Sequence, residues 1–170
     1  MVMLSEIPAP FVSSPQTVEE QWIDFNGHLN MAYYGVLFDR TADDPFADFG
    51  MGPEYLKRTN CSTFMLEAKY HYLRELHVGD EVVATLQVLD VSDKCLHYVQ
   101  ELHHAQKGWL SAVMEAAGHS RRHGNAKAGT ISRRNSEVFA RGSRCPSRLP
   151  TPRHVGSRIE SAVSDCATEI

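Results

Sequence analysis

The sequence predicts an α+β domain in which an antiparallel β-sheet wraps around one long central helix. Three observations lead there. An apolar run from Met31 to Phe38 follows a helix-capping Asn30, the periodicity switches to two from Thr63, and turn residues then cut the chain into strand-length pieces. A chain of 170 residues with 42% hydrophobic content can build one such core and is short for two.

Residues 1–15 contain Pro8, Pro10 and Pro15 with Ser13 and Ser14, a composition that resists regular structure and reads as an N-terminal arm. A short first strand is expected over residues 16–23, on Val18, Trp22 and Ile23, and Asn26 with Gly27 supplies turn chemistry directly after Asp24. Asp24 therefore stands where strand gives way to loop. The run Met31, Ala32, Tyr33, Tyr34, Gly35, Val36, Leu37, Phe38 is apolar nearly all round, which predicts a helix buried over most of its surface. Asp43, Asp44 and Pro45 end or restart it, and a second helical stretch is expected at residues 53–58.

Phe64, Leu66, Ala68, Tyr70 and Tyr72 then alternate with Thr63, Met65, Glu67, Lys69 and His71, as in a strand with one buried face. Gly79 with Asp80, Ser92 with Asp93, and Gln106 to Gly108 separate further strands over residues 81–91, 94–104 and 109–115. An apolar helix cannot stand in water and a sheet with one apolar face needs a cover, so each completes the other. The chain has no internal repeat, so a homodimer or a dimer-based homotetramer is expected.

The four cysteines, Cys61, Cys95, Cys145 and Cys166, show neither C-x-x-C pairing nor a dense framework, which fits a reducing, cytoplasmic setting. No apolar run approaches the roughly 20 residues of a membrane span, and no export signal stands at the N-terminus. The nine histidines, among them His103, His104, His119 and His123, fall into no metal-ligand spacing, so neither a metal nor another cofactor is expected.

On these residues the chain resembles the 4-hydroxybenzoyl-CoA thioesterase-like branch of the hot-dog-fold acyl-CoA thioesterases. The pattern D-x-x-G-H-x-N-x-x-x-Y reads as Asp24, Gly27, His28, Asn30 and Tyr34, and a second stretch runs from Glu67 through Leu76 to Gly79 and Asp80. The resemblance covers roughly residues 16–115. More narrowly, Trp22, Ile23, Asp24, Asn26, Gly27, His28, Asn30, Tyr33 and Tyr34 are similar to betainyl-CoA thioesterases of carnitine and betaine breakdown.

Thioester hydrolysis needs a carboxylate to attack the carbonyl or activate water, and donors for the developing oxyanion. The resemblance implies Asp24 as the carboxylate, in either role, and the backbone N–H of Met31 as a donor at the helix N-terminus. Gly27 lets the loop pass close to the thioester, and His28 and Asn30 orient the loop or the water. Trp22, Tyr33, Tyr34 and Glu67 are the candidate substrate-binding residues, because a quaternary ammonium group is held by aromatic faces.

Each residue also has a plainer reading. Asp24 suits an Asx turn, His28 a loop, Asn30 a helix cap, and the three aromatics a core. Glu67 suits a solvated or dimer-facing strand position, and Asp39, where another hot-dog branch keeps its catalytic acid, suits the polar side of a helix. A non-catalytic module that binds acyl thioesters or partners is the competing function.

Residues 1–115 hold 7 Lys+Arg against 17 Asp+Glu, whereas residues 116–170 hold 10 against 4, so the last third reverses the charge. The strand pattern is read as stopping after Glu115, with residues 16–119 forming the domain and 120–170 a basic segment of low order. A shifted reading frame, a basic tail for an anionic surface or nucleic acid, and a divergent folded cap all account for that composition. Nucleic acid is otherwise not an expected partner, nor is a membrane.

Overall fold

The computed structural model describes residues 10–92 and 94–122, with side chains to residue 120. The expectations placed on residues 1–9 and 123–170 lie outside the described residues. Six strands form one antiparallel sheet, β1 (Phe11–Val12), β2 (Gln16–Thr17), β3 (Cys61–Tyr72), β4 (Glu81–Val91), β5 (Cys95–His104) and β6 (Leu110–Arg122). The spatial order is β1-β4-β5-β6-β3, with β2 also on β4. Helix α1 (Met31–Asp48) crosses one face, and α2 (Pro53–Thr59) leads into β3.

The first strand is shorter than its composition suggests. β2 has only two residues, and a 3-10 turn at Glu20–Trp22 replaces the rest. Part of the arm is ordered instead: Phe11 pairs with Leu86, and Ser13 N–H donates to Ala84 C=O at 2.8 Å. Pro10 and Pro15 bracket this segment and lack N–H groups themselves, but the residues between them keep theirs.

α1 continues through Pro45 to Asp48 and is not broken at the Asp43-Asp44-Pro45 sequence. Its buried residues are Tyr34, Leu37, Phe38, Thr41, Ala42 and Pro45, a stripe at helical spacing. Burial over most of the helix surface was the expectation, yet the helix turns one face to the sheet and leaves Met31, Asp39, Arg40, Asp43 and Asp44 exposed.

β5 and β6 lie inside the sheet, and Leu96, Tyr98, Gln100, Leu102, Ala112, Met114 and Ala116 point toward α1. The opposite face carries a buried pair, His97 Nε2 3.0 Å from Glu115 Oε1.

β3 departs from its expected alternation. A bulge between Met65 and Glu67 leaves Leu66 without a cross-strand partner and shifts the register by one. Ala68 and Tyr70 then face α1, whereas Phe64 turns to the other face and stacks on His119 with ring centroids 6.0 Å apart. β3 is also the outer strand, so Phe64, Met65, Leu66 and Tyr72 are exposed.

The strand pattern does not end at Glu115. β6 runs to Arg122, pairing Ala116 with Ala68, Gly118 with Met65 and Arg122 with Cys61. Ala116, Ala117, His119 and Ser120 are all buried. Small residues fill an inner strand here because neighbours crowd it: a Cβ on Gly118 would lie 3.1 Å from Thr63 Cγ2 and 3.2 Å from Phe64 O.

Candidate active site

The loop before α1 is folded by its own turn residues. Asp24 Oδ1 accepts from Asn26 N–H at 2.8 Å and Gly27 N–H donates to Asp24 C=O at 3.0 Å, while Gly27 takes φ +87°, open to glycine and few others. An isolated bridge between Ile23 and Leu29 closes the loop. Leu29 N–H donates to Leu76 C=O at 2.8 Å and Asn30 N–H to Trp22 C=O at 3.0 Å, which ties the loop to the core.

Asn30 caps α1: its Oδ1 accepts from Ala32 N–H at 3.0 Å. Met31 N–H, the first of the helix, has no acceptor among the described residues. Met31 lines a cleft of about 560 Å³ together with Asp24, His28, Asn30 and Tyr34 from this segment and Tyr72, Leu73, Arg74 and Glu75 from the end of β3 onward.

Asp24 is held as a carboxylate. Partial burial pushes its pKa up, but hydrogen bonds from the Asn26 backbone and side chain, the charge of His28 and the His28 backbone outweigh this and leave it below the ordinary aspartate value. His28 lies between two acids, Nδ1 3.9 Å from Asp24 Oδ1 and Nε2 3.9 Å from Glu75 Oε1. Those distances exceed hydrogen bonds, so His28 acts on Asp24 through charge. Burial pushes the Tyr34 hydroxyl up, so it stays protonated at neutral pH.

Asp24, His28, Asn30, Met31 and Tyr34 thus meet at one cleft, and Gly27 shapes their loop. The remaining candidates go elsewhere. Trp22 is buried, stacked on Tyr33 at 5.6 Å, and Arg40 lies 4.8 Å from its ring centroid. A protein cation therefore occupies the ring that was expected to receive a substrate cation. Neither Trp22 nor Tyr33 lines the cleft, and Glu67 is exposed on the outer strand.

Sequence reasoning assigned no role to Tyr72, Arg74 or Glu75. Their signal was the second stretch of resemblance, whose strand ends at Tyr72 and whose continuation folds back under the loop. Arg74 places its guanidinium 4.3 Å from the Trp109 ring centroid, which fixes a positive charge near the cleft. Among the described residues no group of three His, Cys, Asp or Glu side chains is placed to hold a metal ion.

A helix laid across an antiparallel sheet in this order is the hot-dog fold. A Staphylococcus aureus protein solved in complex with CoA matches it with a TM-score of 0.78 at 22% identity, over 89% of this chain and 96% of that one. A putative thioesterase from Pseudomonas putida KT2440 matches with a TM-score of 0.73 at 25% identity, over 88% of this chain and 95% of that one. The chain belongs to the thioesterase-like superfamily, whose family model matches residues 18–138.

Among curated relatives, an L-carnitine dehydrogenase/betainyl-CoA thioesterase of Rhizobium meliloti is 30% identical over 73% of this chain and 24% of its own length. A betainyl-CoA thioesterase of Pseudomonas aeruginosa is 33% identical over 50% of this chain and 51% of its own. The chain therefore spans about a quarter and about half of these two relatives. The family match continues past Glu115, in agreement with the course of β6.

Proposed function

We propose that the chain hydrolyses acyl-CoA thioesters at the cleft before α1, with Asp24 as the reacting carboxylate. The observation that supports this reading is the meeting, on the walls of one cleft, of Asp24, held ionised, and Met31, the first residue of α1, whose N–H has no acceptor among the described residues. In the general-base route Asp24 takes a proton from water, the hydroxide adds to the carbonyl carbon, and the C–S bond breaks with the proton passing to the CoA sulfur. In the nucleophilic route an Asp24 oxygen adds to the carbonyl carbon, the C–S bond breaks with CoA leaving as thiolate, and water then cleaves the resulting anhydride, restoring the Asp24 carboxylate and supplying the proton that CoA sulfur takes up. Both place negative charge on the thioester oxygen, where Met31 N–H and the helix dipole stabilise it.

His28 supports the carboxylate form of Asp24, and Asn30 holds the helix end in place. The names of the relatives make betainyl-CoA the first substrate to assay. A cytoplasmic setting fits Cys61 and Cys95, which form no disulfide among the described residues, and no described helix is long and apolar enough to cross a membrane. The open edge of β3, with Phe64, Met65 and Leu66 exposed, supports a homodimer in which two β3 strands meet antiparallel about a twofold axis.

The test is release of free CoA from a panel of acyl-CoAs by the parent and by Asp24→Asn. Loss of at least about a hundredfold in kcat is expected in the variant. Equal rates for the two proteins would remove Asp24 from the mechanism.

A further inference from the structure

Arg74 is the one Lys or Arg among the described residues that line the cleft, beside the acids Asp24 and Glu75. Its main chain is held by Ser111 of β6, a residue with no exposed surface. Leu73 N–H and Arg74 N–H donate to Ser111 C=O at 2.8 Å and 3.0 Å, and Ser111 Oγ donates back to Arg74 C=O at 2.7 Å. Two successive N–H groups on one carbonyl end the regular pairing of β3 with β6 and turn the chain, so Arg74 stands at the cleft wall instead of extending the sheet.

The side chain is held as well. Its guanidinium lies 4.3 Å from the centroid of the Trp109 ring, and that ring is 5.0 Å from the ring of His104. His104 is itself fixed: Nδ1 accepts from the Gln106 and Lys107 N–H groups at 3.3 Å each, and Nε2 lies 3.4 Å from Asp80 Oδ1. Trp109 does not line the cleft, so the Arg74 side chain leads away from Asp24 toward the turn between β5 and β6.

Fixing a long cation in this way costs rotamer freedom, yet nothing in the described structure neutralises the charge. Arg40 and Lys57 each have a carboxylate at 2.7 Å, whereas Arg74 has none within ion-pair distance among the described residues. The rest of the domain repels anions, with 17 Asp+Glu against 7 Lys+Arg over residues 1–115. A rigid, unpaired guanidinium at the edge of such a cleft is the complement of an oxyanion, which it receives through two parallel N–H donors.

We propose that Arg74 binds a phosphate of the CoA moiety, with Ser111 and Trp109 as the residues that position it. The proposal rests on the acyl-CoA reading of the cleft for its ligand, and it gives the substrate a direction. The thioester lies between Asp24 and Met31, the pantetheine arm follows the wall from Tyr72 to Glu75, and the nucleotide stands outside by the β5–β6 turn. From sulfur to the first phosphorus the extended arm runs about 16 Å, at about 1.2 Å per bond. A span of that length needs a cation carried outward from the cleft wall, as Arg74 is.

The test compares two thioesters of one neutral acyl group, butyryl-CoA and butyryl-pantetheine, which lacks the phosphates. In the parent kcat/KM is expected to favour the CoA ester, and Arg74→Gln should reduce that preference about tenfold, through KM, because a charge-assisted hydrogen bond is lost. Ser111→Ala and Trp109→Leu should reduce the same ratio, and Trp109→Phe, which keeps an aromatic face, should retain it. A merely structural defect lowers both esters together, and that result in the Ser111 and Trp109 variants removes their positioning role. Arg74 is exposed, so its variant folds, and a ratio that it leaves unmoved overturns the assignment. A preference for succinyl- over butyryl-pantetheine that Arg74→Gln abolishes overturns it too, because the oxyanion is then a carboxylate of the acyl group.

Calorimetric titration of the full chain with CoA and with pantetheine separates this site from the hydrolysis. CoA is expected to bind more tightly, by a margin that shrinks with added salt and that Arg74→Gln removes. If that selectivity is found while no acyl-CoA is hydrolysed, the thioesterase reading falls and the phosphate site stands. Hydrolysis with a ratio that Arg74→Gln leaves unmoved rejects the phosphate site alone.

Discussion

Met31→Pro removes one atom pair from the proposed chemistry while leaving the fold nearly untouched. Proline has no N–H, and the N–H of Met31 donates to nothing among the described residues, so no internal hydrogen bond is lost. Met31 is the first residue of α1, where proline is favoured. The residue before a proline must be extended, and Asn30 already has φ −61° and ψ 137°. The Met31 side chain is 71% exposed, so its loss sacrifices little burial.

The expected stability change is therefore within about 1 kcal/mol and in the stabilising direction. Catalysis should suffer far more, because removing one oxyanion donor costs about 2.7–4 kcal/mol, roughly a hundred- to a thousandfold in kcat. Thermal unfolding and acyl-CoA hydrolysis are measured on the same preparation, with Met31→Ala as the control that keeps the N–H. A folded Met31→Pro protein as fast as Met31→Ala would refute the oxyanion assignment.

Three further outcomes follow from the geometry. Asn26→Ala removes the Nδ2 contact of 3.3 Å to Asp24 Oδ2, and a carboxylate that loses a donor binds its proton more tightly. The acid limb of kcat/KM, expected in the parent below the ordinary aspartate value of about 3.9, should move to higher pH, and an unmoved limb would show that another group titrates there. Leu66→Lys places a charge on the exposed β3 edge and should turn a dimer into a monomer by light scattering; a variant that stays dimeric would put the interface elsewhere. Gly118→Val drives side-chain atoms against Thr63 and the Phe64 carbonyl and should destabilise by about 1–3 kcal/mol, lowering Tm. An unchanged Tm would mean that β3 and β6 are not packed together at that point.

What could be read from sequence was what local chemistry decides. Asp24, Asn26, Gly27 and Asn30 act within six residues through an Asx turn, a positive φ and a helix cap, and such devices need no distant partner to be recognised. The cleft they build was therefore legible, apart from its far wall at Tyr72, Arg74 and Glu75, which the chain brings back from more than forty residues away. The failures came where the decision is tertiary. Alternation from Phe64 to Tyr72 looks regular in one dimension, and only pairing with β6 reveals the bulge at Leu66 that sends Phe64 to the opposite face.

The reading of Ala116, Ala117 and Gly118 as a break failed for a related reason. Apolar volume is a good index of burial for a strand with room around it, but an inner strand pressed by neighbours on both edges is filled best by residues that occupy little space. Gln100 makes the converse point. Alternation with Leu96, Tyr98 and Leu102 places it on the inner face of β5, but that its amide nitrogen donates to the Phe38 carbonyl of α1 could not be read from the strand alone. That bond is decided by the packing of α1 on β5, more than fifty residues apart in sequence, and so is visible in the fold and not in the sequence.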